Sequence, residues 1–360
     1  MKFLPLFVML ITTSLQPAYG VVVKGQEKLV IAHRGASGYL PEHSLAAKAM
    51  AYAMGADYIE QDVVMSKDNA LVVLHDHFLD RVTNVATQFP GRARSDGRYY
   101  AIDFTLAEIK TLQMTEGFSI ENGQQRAIYP QRFPLWRSTF QVHTLAEEIE
   151  LIQGLNKSTG KQIGIYPEIK SPAFHRHHGK DISKAVLKDL QRYGYTSRTS
   201  KVYVQSFDPI ELQRIKQQLL PELEMDLKLV QLIAETSWHE TLIYQQDKTI
   251  VYDYDWMLRD DAMVKIAQYA DGIGPWKPML INIDNVTNVP RSNGMLGAAH
   301  QAGLVVHPYT FRADTGRIPD FAMDFDDLLK IYYFDIDVDG VFTDFPDKAV
   351  EFLRKAQLAE

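Results

Sequence analysis

Leu29-Val30-Ile31-Ala32-His33-Arg34-Gly35-Ala36 decides the fold: four apolar residues that read as a strand break off into polar residues and glycine. The same pattern returns down the chain. Tyr58-Ile59-Glu60-Gln61-Asp62, Ile163-Gly164-Ile165-Tyr166-Pro167-Glu168, Lys201-Val202-Tyr203-Val204-Gln205 and Lys228-Leu229-Val230-Gln231-Leu232-Ile233 follow, then Gly272-Ile273-Gly274, Gly303-Leu304-Val305-Val306-His307 and Gly340-Val341-Phe342-Thr343. Such short runs suit strands, and helical patterns separate them. Asp208-Pro209-Ile210-Glu211 offers an N-cap, a first-turn Pro and a capping-box Glu. Thr105 with Glu108, and Thr144 with Glu147, repeat the capping form, while Gly55 and Gly194 read as helix stops. Strands alternating with helices predict an α/β chain folded as a (β/α)8 TIM barrel, with a doubly wound sheet as the alternative.

Leu71-Val72-Val73-Leu74 follows the turn-like Ser66-Lys67-Asp68-Asn69-Ala70 and reads as the return arm of a hairpin extension on strand two. Residues 77–142 then interrupt the alternation. They are rich in Arg, Gly and aromatic residues and contain one short helical pattern near Thr105 to Leu112. Long connections are uncommon unless functional, so this stretch is expected to be an inserted subdomain between strands two and three, over the catalytic end. At the start of the chain, Lys2, the apolar run Phe3 to Ile11, and small residues at Ala18 and Gly20 have the layout of a secretory signal peptide spanning residues 1–20. Export to the periplasm with a cut between Gly20 and Val21 is the expectation, leaving residues 21–360 as the barrel domain. That apolar run is too short to span a bilayer. The 360 residues carry a formal charge of -7, a poor match to nucleic acid or anionic membrane, so neither nucleic-acid binding nor stable membrane insertion is expected. Cysteine is absent, which excludes disulfides, thiolate metal sites and cysteine nucleophiles.

The polar residues cluster at strand ends, where barrel active sites lie. Glu60 and Asp62, two apart on a strand, share a face. With Glu168 they would place three carboxylates at one barrel mouth, which repel unless a cation neutralises them; they form a candidate hard-cation site. His33 and His75 are the acid–base candidates at neutral pH. Arg34 and Lys170 are natural anion clamps. Paired carboxylates alone would also suit a glycosidase. The added cations and histidines favour a phosphate-centred substrate.

These motifs, together with Pro41-Glu42-His43-Ser44-Leu45, Val72-Val73-Leu74-His75-Asp76, Glu168-Ile169-Lys170, Gln205-Ser206-Phe207 and Phe342-Thr343-Asp344-Phe345-Pro346, resemble in order and spacing those of the glycerophosphodiester phosphodiesterase family. The insertion and the leader look closest to its periplasmic Gram-negative branch. The resemblance implies that Glu60, Asp62 and Glu168 bind the metal, Ca²⁺ by analogy with that branch and Mg²⁺ as the alternative. It implies that His33 and His75 are the general acid and base, that Arg34 and Lys170 contact phosphate, and that Phe207 lines the glycerol pocket. Trp276 and Tyr309 are further candidates for the lining. Where the family usually reads Pro-Glu-Asn-Thr, this chain has Pro41-Glu42-His43-Ser44; Ser44 can still cap the next helix, and His43 has no role assigned. The implied reaction is hydrolysis of small-molecule glycerophosphodiesters to sn-glycerol 3-phosphate and an alcohol. Its rivals are a phospholipase-type barrel acting on lipid head groups and a binding protein on an inactive barrel.

Overall fold

A computed structural model describes residues 28–359 apart from Asp247, Asp260 and Asn285; the expected leader and its cut lie outside the described residues. Eight parallel strands form the frame: β1 Leu29–Ala32, β2 Tyr58–Met65, β3 Gly164–Ile169, β4 Tyr203–Ser206, β5 Lys228–Ile233, β6 Gly272–Pro275, β7 Val305–Val306 and β8 Gly340–Thr343. Each pairs with its neighbour in sequence, and β1 also pairs with β8. Backbone bonds from Asp339 to Val306 and from Phe342 to Pro308, both 3.1 Å, bring β8 against β7 and close the ring. The expected barrel is the observed one. β7 is shorter than its apolar run, because Gly303 adopts a positive φ in the preceding turn.

Inside and outside follow the two-residue period of the strands. On β1, Ile31 points into the barrel while Val30 and Ala32 pack outward against the helices. On β2, Tyr58 faces inward, so Glu60 and Asp62 share its face further up; on β3, Tyr166 stands below Glu168 in the same way. The floor beneath the carboxylates is aromatic: Tyr166 stacks on Tyr203 at 4.9 Å, and the Tyr58 and Phe342 rings meet Tyr166 edge-on. Outward-facing Gln61 joins a buried polar network in which Lys48 bonds the Glu60 carbonyl and pairs with Glu148 at 3.0 Å. That network ties helix Leu45–Met54 and helix Leu145–Thr159 to the middle of β2.

Leu71–Val73 returns antiparallel to β2 as expected, with Val64 opposite Val72. The insertion continues from it and has its own apolar cluster, including Leu79, Val85, Phe104, Ile109 and Met114, which is continuous with Val64 and Val72. The expected helix is confined to Leu106–Ile109, the insertion forms a second short helix at Val85–Gln88 that no pattern in its sequence had marked, and both Thr105 and Thr144 form complete capping boxes. At Asp208 half of the expected box forms: its side chain accepts from the Glu211 N–H, but the Glu211 carboxylate turns to Arg214. The insertion also holds a hairpin, Phe118–Glu121 with Gln124–Ala127, that no strand pattern in its sequence had marked.

Candidate active site

The polar end of β1 is shaped by its backbone. Arg34 sits at φ 58°, Gly35 at φ 87°, and a Cβ on Gly35 would lie 2.8 Å from the Ala47 carbonyl carbon. This tight turn aims the Arg34 N–H at Glu60 Oε2, 2.5 Å away, and its guanidinium at Glu42, 2.6 Å away. Burial would raise the Glu42 carboxyl, yet Arg34 and the neighbouring histidines hold it below its ordinary value. The helix that follows starts at Ser44, whose hydroxyl accepts from the Ala47 N–H as expected.

Glu60, Asp62 and Glu168 are all buried at the mouth of the barrel, and Asp62 stands opposite Glu168 in the strand register. The donor atoms that converge are those of His43, Glu60 and Asp62, all within 4.8 Å of one another. His43 Nε2 lies 2.8 Å from Asp62 Oδ2, while Asp62 Oδ1 is buried with no hydrogen-bond partner among the described residues. Glu168 lines the same cavity but bonds Lys170 at 2.8 Å, and Lys170 also reaches Glu240 at 3.3 Å. Period two places Lys170 on the face of Glu168, which accounts for that pairing. Burial and the Asp62 charge raise Glu60, and burial raises Glu168 in spite of Lys170. Asp62 is held low despite burial, by Lys170 and by His43. A divalent cation would relieve the repulsion within this set, and the unpaired Asp62 oxygen is a free ligand, so the residues fit one.

Each proposed acid–base histidine is oriented by a carboxylate. His33 Nδ1 meets Asp344 at 2.6 Å, and His75 Nδ1 meets Asp76 at 2.8 Å. With Nδ1–H donating, Nε2 of each ring holds the exchangeable position. Burial, reinforced by Arg34, lowers His33 to about 4, so its neutral form prevails at physiological pH. Asp344 is itself gripped by Arg132 at 2.6 Å and by Arg312 at 2.8 Å, which hold it ionised against the cost of burial. Arg132 comes from the insertion and makes a second, two-pronged contact with Asp314 at 2.9 and 2.7 Å.

His33, Arg34, Glu60, Asp62, His75 and Glu168 line one cavity of about 250 Å³. Its other wall is aromatic: Phe207 lies edge-on to Tyr309 at 5.8 Å, with Trp238 and Trp276 beside them. Phe207, Trp276 and Tyr309 are thus in the lining. His33, Arg34, His75 and Arg312 also face a second cavity of about 220 Å³ toward the insertion. The arrangement can hold a phosphodiester at Arg34 with a cation site on one side and two proton-transfer groups beside it.

The family model described as "Glycerophosphoryl diester phosphodiesterase family" matches residues 33–348. The chain belongs to this family. A glycerophosphodiester phosphodiesterase of Haemophilus influenzae is 52% identical over 338 residues, covering 91% of this chain and 90% of that one. The Treponema pallidum enzyme of the same name is 46% identical over 333 residues, covering 91% and 92%. Among solved structures, a putative glycerophosphoryl diester phosphodiesterase from Silicibacter pomeroyi shares the fold, with a TM-score of 0.64 at 24% identity, covering 92% of this chain and 94% of that one. An Oleispira antarctica phosphodiesterase solved with its product sn-glycerol-3-phosphate has a TM-score of 0.59 at 21% identity, covering 91% and 97%. The site built by the structure includes groups that sequence reasoning left without a role: His43, Asp344, Arg312, Arg132 and Glu240. Asp344 follows directly on β8, a position that marks a barrel-mouth residue. Arg132 carries no comparable local signal.

Proposed function

We propose that this protein is a divalent-cation-dependent hydrolase that splits glycerophosphodiesters into sn-glycerol 3-phosphate and an alcohol. The observation that carries the reading is the convergence of two carboxylate-oriented histidines, Arg34 and the Glu60–Asp62 pair on one cavity. The relatives at 52% and 46% identity are named for this activity.

In this reading Arg34 binds the phosphoryl oxygens and stabilises the charge that builds on them, with Lys170 adding positive charge beside Glu168. One histidine Nε2 takes the proton of the glycerol hydroxyl next to the phosphate. That oxygen attacks phosphorus, and the bond to the alcohol breaks as the other histidine protonates the leaving oxygen. Water then opens the cyclic glycerol phosphate with the histidine roles reversed. Glu60 and Asp62 would hold a divalent cation, which would supply Lewis acidity to the phosphoryl transfer. We assign Ca²⁺, with Mg²⁺ as the alternative. Glu60, Asp62 and Glu168 offer hard oxygen donors, and His43 fixes Asp62 through Oδ2 while Oδ1 stays available.

We also place the protein in the periplasmic branch of its family, exported and cut after Gly20. Support comes from Lys2, the apolar run to Ile11, and the small Ala18 and Gly20. Among the described residues no helix is long and apolar enough to cross a membrane. The deciding assay compares choline release from glycerophosphocholine and from phosphatidylcholine vesicles, with and without EDTA. Hydrolysis of the soluble diester that EDTA abolishes and Ca²⁺ restores is expected. EDTA-resistant turnover, or a preference for vesicles, would overturn the reading.

A further inference from the structure

We propose that the cavity beneath the insertion receives the departing alcohol, and that Glu116 selects alcohols bearing a positively charged amine. The inference rests on reading the protein as a glycerophosphodiester hydrolase. A phosphodiester has two arms, and the two cavities meet at His33, Arg34, His75 and Arg312. With phosphate at Arg34 and the glycerol arm toward Glu60 and Asp62, the second arm enters the cavity whose far wall is Glu116, Gly117, Ile128 and Tyr129. Glu116 is 3% exposed, and its Oε2 is buried with no hydrogen-bond partner among the described residues. A buried acceptor in that state is costly, so it marks a place for a donor.

The other carboxylates around this cavity have partners. Asp344 is taken by His33, Arg132 and Arg312, Glu42 by Arg34, and Asp76 by His75. The aromatic faces are covered too: Arg132 lies 3.7 Å over the Tyr129 ring and Arg98 lies 3.8 Å over Phe78. Recognition of an ammonium group therefore falls to the free carboxyl oxygen. Burial and the Glu42 charge push the Glu116 carboxyl up to about 8, so it is largely protonated in the empty site near neutral pH, and a bound ammonium group draws it into the ionised form.

The test measures kcat/KM for glycerophosphoethanolamine and for the uncharged-head diester glycerophosphoglycerol, in wild-type protein and in Glu116→Gln. The ratio of the two is expected to fall at least ~10-fold in the variant, mainly through KM, consistent with loss of a charge-assisted contact. On wild-type protein alone, ethanolamine should inhibit competitively and the isosteric n-propanol should not. An unchanged ratio, or equal inhibition by the two alcohols, overturns the proposal while leaving the hydrolase reading intact. Wild-type protein that hydrolyses neither diester would sink that reading and this inference with it.

Discussion

Replacing Asp344 with Asn tests how the site controls His33. The native contact is 2.6 Å long, made by a side chain 2% exposed, and it links an imidazole to a carboxylate that two arginines hold ionised. Hydrogen bonds to charged groups contribute about 1.5–3 kcal/mol. Only the part of the bond that strengthens as His33 takes up charge in the transition state changes kcat, so at about 1.4 kcal/mol per factor of ten the expected fall is at most roughly 10- to 140-fold. The Asp344 charge also raises the His33 pKa, which burial and Arg34 lower. Removing it shifts to lower pH whichever limb of the rate profile belongs to His33. The fold should lose stability as well, because Arg312 gives up its carboxylate partner while Arg132 keeps Asp314. Thermal unfolding separates the two effects: the rate loss is measured well below the Tm of the variant. A folded Asp344→Asn protein with wild-type kcat and an unmoved pH limb would refute the coupling.

Metal binding should weaken in Glu60→Gln, which keeps the volume and removes a buried charge from the His43–Glu60–Asp62 cluster; calorimetric titration with Ca²⁺ checks it, and unchanged affinity would take Glu60 off the ligand list. Gly35→Ala should destabilise by about 1–3 kcal/mol, since alanine is strained at φ 87° and its Cβ meets the Ala47 backbone; urea unfolding reads this directly. Acid should weaken the fold well above the carboxylate range, because burial lowers His175 and His307, both 0% exposed, to about 4. Unfolded chains bind those protons near 6.5 and the folded protein does not, so stability falls as pH drops from about 6.5 to 4, by ~1.4 kcal/mol per pH unit for each histidine. His307→Gln should remove one proton from that slope, and an unaltered slope would contradict the assignment.

The barrel was legible because its strands are short apolar runs broken by turns. Leu29–Ala32, Lys228–Ile233 and Gly340–Thr343 have the bounds their sequences suggest. Period two likewise put Glu60 with Asp62 and brought Lys170 onto the face of Glu168. The same regularity could not say which partner Glu168 takes, since that depends on the distance between side chains on one strand. Nor could it show that His43, in a turn at φ 59°, packs under Asp62. The hairpin in the insertion was missed because Ile120 is exposed and its arms are largely polar, leaving the Asn122-Gly123 turn as the main signal. Arg132 reaches Asp344 across the fold, a pairing that no local pattern encodes.

The most direct test of the account compares His33→Ala and His75→Ala on glycerophosphocholine and on a glycerol phosphodiester with a nitrophenolate leaving group. Positioned proton transfer is worth about 10² to 10⁴ in rate, so each folded, metal-replete variant should lose a factor in that range on glycerophosphocholine. Nitrophenolate needs little protonation, so the variant lacking the acid should recover most of its rate on that substrate, while the variant lacking the base should not. Wild-type turnover of glycerophosphocholine by either variant would contradict the two-histidine mechanism, and equal losses on both substrates would contradict the division into acid and base.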